Sequence, residues 1–172
     1  VVLNANYELL GEIGHIKGGD GTDYDYTGAQ SLYVHSDGSI FICDTDNARV
    51  LRANPDGTLK DIYVVPESSL IPESFVFKPL KTVMDSHGYL YVLSDGSYYG
   101  AILYSPKGEF YGFYGANSVE ASVLTAISAV WDKLTSNNAK RAGKASRLPY
   151  QFTDLFADKS DFIYTATGKI PG

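Results

Sequence analysis

The segment FICDTDNARVLRANPDG, from Phe41 to Gly57, places a carboxylate, an amide and a guanidinium (Asp44, Asn47 and Arg49) around one short bend. Two kinds of chemistry suit that set. Asp and Asn oxygens can ligate a hard cation such as calcium or hold the hydroxyls of a substrate. Alternatively, a turn Asp accepts hydrogen bonds from nearby backbone amides, and an Arg five residues on pairs with it, so that the cluster fastens one strand to the next. The second reading is favoured here. The bend separates two short strands, and Asn54-Pro55-Asp56-Gly57 then forms a further turn.

Other chemistry is thinly represented. The chain has no G-x-S-x-G, no P-loop and no H-E-x-x-H. His15, His35 and His87 lack metal-ligand spacing. GEIGHIKGGDGTD, with Gly11, Gly14, Gly18, Gly19 and Gly21, is not followed by a helix; it reads as a flexible loop rather than a phosphate cradle. DGTDYDY, Asp20 to Tyr26, is rich in oxygen but lacks the spaced ligands and terminal Glu of a calcium loop. Predicted first strands offer His35, Asp85, Asp154 and Asp158, yet Asp85 and Asp158 fall at turn positions that need an Asp for structural reasons.

The elements that position these residues are β-strands. The chain has 172 residues, 44% hydrophobic and 20% charged, enough for one globular domain with a core. Aromatics at 13%, with 14 Tyr against one Trp, lean toward strands. A net charge of -6 disfavours a nucleic-acid binder, which needs clustered Lys and Arg. Cys43 is the single cysteine, which excludes an internal disulfide and a Cys-type zinc site. No apolar run is long enough for a membrane-spanning helix, and no signal peptide is visible in the chain.

An internal repeat sets the organisation. SLYVHSDGSIFICDTDNARVLRANPDG aligns with KTVMDSHGYLYVLSDGSYYGAILYSPKG, so that Gly38 falls on Gly88 and Ile40-Phe41-Ile42 on Leu90-Tyr91-Val92. A third copy opens at DLFADKSDFIYTAT, with Asp161 in the Gly place. Each copy reads as strand, tight turn, strand, polar bend, strand, Pro-Gly turn, strand. Such units, about 50 residues apart, predict an all-β chain of β-propeller blades, each of four antiparallel strands.

DGSIFICDTDNARVLRANPDG resembles the NHL repeat, roughly D-G-x-I-Y-V-A-D-T-x-N-x-R-I-x-x-F-x-x-x-G. Asp37, Gly38, Ile40, Phe41, Ile42, Asp44, Thr45, Asn47, Arg49, Val50 and Gly57 match it. The second copy departs, with Ser94 in the Asp place and DGSYYG at the bend; the third has Thr167 there. Nearly the whole chain is similar to bacterial secreted or lipid-anchored NHL-repeat proteins loosely labelled gluconolactonase-like. The resemblance implies a six-bladed ring and an extracellular or cell-surface location. It implies little about activity, because propellers host many functions.

Within that frame the expected organisation is one partial propeller domain over residues 1–172. Residues 6–13 form the last strand of a preceding blade, 31–64 and 81–114 form blades, and 153–167 start the next. About two and a half blades are thus expected, and the chain, which begins without Met inside a strand, is expected to be a fragment whose ring is completed by missing blades or by self-association. The repeat lengthens from 50 residues between Gly38 and Gly88 to 73 between Gly88 and Asp161. The excess falls in residues 117–147, where Asn117 and Glu120 have capping-box spacing and Val119, Val123, Ile127, Val130, Trp131 and Leu134 recur at helical spacing. A helical insert with a basic run (Lys133, Lys140, Arg141, Lys144, Arg147) is therefore expected.

Blade topology puts the bends at 45–48 and 94–100, the connection at 66–79 and the insert on one face. The candidate binding residues on that loop face are Asp44, Asn47, Arg49, Asp95, Tyr98, Tyr99 and Trp131. The favoured function is a non-catalytic scaffold that binds a protein, a small molecule or a carbohydrate without a cofactor. The alternative is a metal-dependent, lactonase-like hydrolase with calcium or another divalent ion on the channel axis, its site completed by blades outside this chain.

Overall fold

The computed structural model of the chain describes residues 1–97, 99–115 and 151–168. Over these residues the chain is all-β and antiparallel, with no helix. The strands are β1 Val2–Leu3, β2 Leu9–Gly11, β3 Ile16–Lys17, β4 Asp23–Tyr24, β5 Ser31–Val34, β6 Ile40–Asp44 and β7 Arg49–Ala53. They continue with β8 Leu59–Tyr63, β9 Pro79–Met84, β10 Leu90–Ser94, β11 Ala101–Tyr104, β12 Phe110–Tyr114, β13 Phe152–Ala157 and β14 Ile163–Thr167. The helix expected over 117–147 lies outside the described residues, as do Tyr98 and Trp131.

Two sheets are four-stranded meanders, β5-β6-β7-β8 and β9-β10-β11-β12. Three are two-stranded ribbons: β1-β2, β3-β4 and β13-β14. The β3-β4 ribbon is a correction to the sequence reading, which left Gly11–Gly21 as a loop. Gly18 N–H donates to the Thr22 carbonyl (2.7 Å), and Gly21 sits at φ 84°, so the glycines make a tight hairpin turn rather than a free linker.

The turns explain where the strands begin. At the first turn of each copy the residue at position 38, 88 or 161 has φ of 84°, 86° or 64°. Glycine occupies this left-handed region without penalty, and Asp is among the residues that tolerate it. A turn Asp accepts backbone N–H groups just after it. Asp37 Oδ1 takes Ser39 N–H (2.8 Å), Asp85 Oδ1 takes those of His87 and Tyr89 (3.0 and 2.9 Å), and Asp158 Oδ1 takes those of Ser160 and Phe162 (2.8 and 2.9 Å).

Alternation sends neighbouring side chains to opposite faces. Phe41, Cys43, Val50 and Tyr63 of the first sheet pack against Met84, Leu90, Val92, Ile102 and Tyr104 of the second. The other face of the second sheet, Val83, Tyr91, Leu93 and Ala101, meets Leu155 of β13. The first sheet's remaining face, Ile42, Leu51 and Ala53, is covered by Ile16. The sheets therefore stack face to face in chain order, and β5, β9 and β13 are neighbours along one side of the stack. Both faces of the second sheet being apolar is why β10 is buried at every residue.

Candidate functional site

Asp44 ends β6 with a wholly buried side chain. Its Oδ1 accepts the Thr27 N–H (2.7 Å), both its oxygens lie 3.0 Å from Asn47 Nδ2, and its Oδ2 accepts Arg49 Nε–H (2.7 Å). Arg49 Nη2 reaches on to the Asp25 carbonyl (2.8 Å) and its guanidinium lies 5.4 Å from the centre of the Tyr24 ring. Ala48, inside the bend, adopts φ 51°. Next in the chain, Thr45 Oγ1 donates to the Pro79 carbonyl on β9 (2.6 Å). The cluster thus clamps the 25–27 segment to the bend, and its Thr ties the first sheet to the second. A buried carboxylate needs such partners, since an unpaired one is costly.

Ser94 occupies the corresponding place in the second sheet and is also wholly buried. Its Oγ accepts the Lys78 N–H (2.9 Å), and Asp95 N–H donates to the Lys78 carbonyl (2.8 Å). A hydroxyl thus keeps the bond to the segment entering the sheet, and the Arg partner disappears with the charge.

The remaining described candidates do not join this cluster. Asp95 is exposed and accepts Gln151 Nε2–H (3.3 Å). Tyr99 is buried, 5.3 Å from the Phe113 ring centre and beside Ile71, Pro72 and Phe75. Asp44, Asn47 and Arg49 stay together, and both Asp44 oxygens are taken up inside the cluster.

A different cleft lies at the turn ends of β5, β9 and β13. About 250 Å³ in volume, it is lined by Tyr33, His35 and Ser36 from the first sheet, Met84 and Ser86 from the second, and Asp158, Lys159 and Asp161 from the turn of the β13-β14 ribbon. Asp161 accepts both the N–H (2.8 Å) and the hydroxyl of Ser86, and His87 Nδ1 lies 3.6 Å away. The Ser86 hydroxyl is the first reason, and its N–H the second, that the Asp161 carboxyl is held below the usual range. Tyr91 and Tyr164 donate to Asp85 and Asp158 (3.2 and 3.1 Å). Burial, then the Asp85 charge, pushes the Tyr91 phenol up to about 12, so it remains a donor. Tyr33 donates to the Met84 carbonyl (3.1 Å), and its hydroxyl lies 3.3 Å from His35 Nδ1.

The carboxylates of this cleft are therefore committed to backbone amides and hydroxyls. Among the described residues no group of three or more His, Cys, Asp or Glu is arranged to hold a metal ion. Lys159 and Ser36 are exposed, Lys159 forms no ion pair among the described residues, and both offer donors to the cleft. The sequence reading named His35 and Asp158 on predicted first strands but set both aside, and it did not consider Ser86, Lys159 or Asp161 as site residues. The substitution of Gly by Asp161 at the turn was the one local signal.

No protein-family model matches the chain, and no curated protein matches it in sequence. Among the described residues no helix is long and apolar enough to cross a membrane.

Proposed function

We propose that the chain is part of an NHL-type β-propeller that serves as a non-catalytic binding scaffold, working outside the cell or at its surface. The observation that carries this reading is the commitment of the Asp44 carboxylate. It is wholly buried, with both oxygens already accepting from Thr27, Asn47 and Arg49, so it fastens the bend instead of presenting a ligand to a metal or a substrate. Stacked four-stranded sheets with β5, β9 and β13 side by side suit blades whose first strands line an axis. The cleft at His35, Ser86 and Lys159 then opens at one end of that axis, where loops of several blades converge. Its free donors suit an acceptor-rich ligand, such as a carbohydrate or a carboxylate-bearing small molecule.

The test compares thermal unfolding in calcium with unfolding in EDTA, alongside hydrolysis of glucono-1,5-lactone. A scaffold melts at the same temperature in both and leaves the lactone at its solvent rate. A calcium-dependent rise in Tm together with turnover would replace this reading by the lactonase-like one, because a ligand that binds only the folded chain must raise its stability.

A further inference from the structure

The turns at residues 35–38, 85–88 and 158–161 are built alike. His35 N–H bonds the Ser39 carbonyl and Gly38 N–H the His35 carbonyl. Asp85 with Tyr89 and Gly88 with Asp85 repeat the pair, as do Asp158 with Phe162 and Asp161 with Asp158. Positions 36, 86 and 159 are therefore equivalent, as are 38, 88 and 161. The three turns also follow one another in space, since β5 lies beside β9 and β9 beside β13.

Between the second and third turns the fold already holds a carboxylate. Asp161 reaches across to the second turn and accepts both the N–H (2.8 Å) and the hydroxyl of Ser86. The same two donors recur one turn back, at the exposed Ser36. There the facing position on the second turn is Gly88, which has no side chain to send. Among the described residues the Ser36 N–H has no protein acceptor, and its hydroxyl lies 3.4 Å from His35 Nε2. Ser36 and Ser86 both open on the cleft of about 250 Å³. The contrast between them is set by Gly88 and Asp161, well inside the chain. Tyr114 and Phe152, the strand ends next to residues 116–150, pair with Ala101 and Thr167, at the far end of their sheets from these turns.

The surroundings of Ser36 suit an anion. The second and third turns open on Asp85 and Asp158, but the first opens on His35, so an imidazole borders Ser36 where the others have a carboxylate. Lys159 adds an ammonium from the third turn. The carboxylates nearby are engaged. Asp37 pairs with Arg52 (3.2 Å), Asp161 holds Ser86, and Asp85 and Asp158 accept the amides of their own turns. Hydrogen bonds to a charged acceptor are shorter and stronger than those to a neutral one, so a carboxylate suits the two Ser36 donors better than a sugar hydroxyl does.

The geometry points to a small carboxylate, such as a sugar acid, bound at Ser36. Its oxygens take the Ser36 N–H and hydroxyl as Asp161 takes those of Ser86, with His35 and Lys159 beside it. The assignment rests on the scaffold proposal in taking the cleft as the binding site, and it names the ligand class and the contact.

Glucuronate is the probe, titrated into the isotope-labelled chain at constant ionic strength, with glucose as its uncharged match. Glucuronate should move the Ser36 amide resonance saturably, and glucose should not. Gly88→Asp supplies the carboxylate from within. Asp161 shows that the position accepts Asp, at φ 64°, and a Cβ on Gly88 meets nothing nearer than Pro106 at 3.4 Å. That variant should weaken glucuronate binding about ten-fold or more, the effect of losing a charge-assisted bond. Gly88→Ala, with the same backbone cost and no carboxylate, should bind as the wild type does. Asp161→Gly releases the Ser86 donors, and glucuronate should then move the Ser86 amide as well. A Ser36 amide that glucuronate leaves unmoved, equal shifts from glucose, or a folded Gly88→Asp variant that binds like the wild type overturns the assignment. So does a Ser86 amide that stays unmoved in Asp161→Gly, whatever the fate of Gly88→Asp. Each result is separate from a failure of the scaffold reading, which shows in calcium-dependent stability and lactone turnover.

Discussion

Replacing Asp44 with Ala removes the acceptor at the centre of the bend and leaves three donors behind. Thr27 N–H loses a charged partner at 2.7 Å, a bond of about 1.5–3 kcal/mol. Arg49 keeps the Asp25 carbonyl and is partly exposed, so water replaces part of what it loses. Asn47 is exposed and its amide is readily hydrated. The total is about 2–4 kcal/mol, at or below the ~3–5 kcal/mol that follows from stranding one member of a fully buried pair. For a chain of this size the corresponding fall in Tm is roughly 5–15 °C. Asp44→Asn keeps an oxygen for Thr27 but loses the charge facing Arg49, so its loss should be intermediate. The assay is urea unfolding followed by circular dichroism, in which the midpoint moves while the slope is kept. If Asp44→Ala unfolds at the wild-type midpoint and instead abolishes calcium binding, the motif is a ligand site and the reasoning fails.

Three further outcomes follow from the same geometry. Gly38→Ala should cost about 1–2 kcal/mol by urea unfolding, because φ is 84° and an added Cβ would come within 3.0 Å of the Pro55 ring. Burial pushes the Asp37 carboxyl up, but the Ser39 N–H and hydroxyl, with His35 and Arg52, outweigh it and bring it down to about 2. A lowered folded value contributes stability above the unfolded pKa near 4 that is lost as pH falls from about 4 toward 2, so Asp37→Asn should flatten the acid limb of a Tm-against-pH curve. Burial pushes the Cys43 thiol up to about 11, so at pH 8 an aromatic disulfide reagent should label it only after denaturation; rapid labelling of the native chain would contradict its place in the core.

What was legible in the sequence was local. Alternating apolar residues bounded by Gly, Asp and Pro marked the strands of both complete sheets to within a few residues, because period two and turn chemistry are short-range properties. The Asp44–Arg49 pairing was legible for the same reason: five residues separate the partners, across one bend. Contacts between sheets were not. Ser86 and Asp161 stand 75 positions apart, and nothing in either segment says that the two turns meet. Thr45 and Pro79 are likewise joined only by the stacking. The glycines of residues 11–21 concealed a hairpin because a two-residue strand is too short to show periodicity. At the other ribbon the sequence showed β2 as the end of a sheet, while the likeness of its turn to those of β7-β8 and β11-β12 needed the bonds of Asn4 to Glu8, Asn54 to Thr58 and Ser105 to Glu109, and the positive φ of Tyr7, Gly57 and Gly108, to become visible.

Face-to-face stacking of the two complete sheets is what the scaffold reading requires. Met84, the single methionine, sits in the cluster that joins those sheets, with Phe41 of the first sheet in the same core and Tyr33 bonded to the Met84 carbonyl. A sample labelled only at the methionine methyl therefore reports the junction through one resonance. Nuclear Overhauser contacts from that methyl to the ring protons of Phe41 or Tyr33 are the expected result. A sharp methyl signal with contacts only to residues of its own sheet, such as Leu90 and Val92, would contradict the stack.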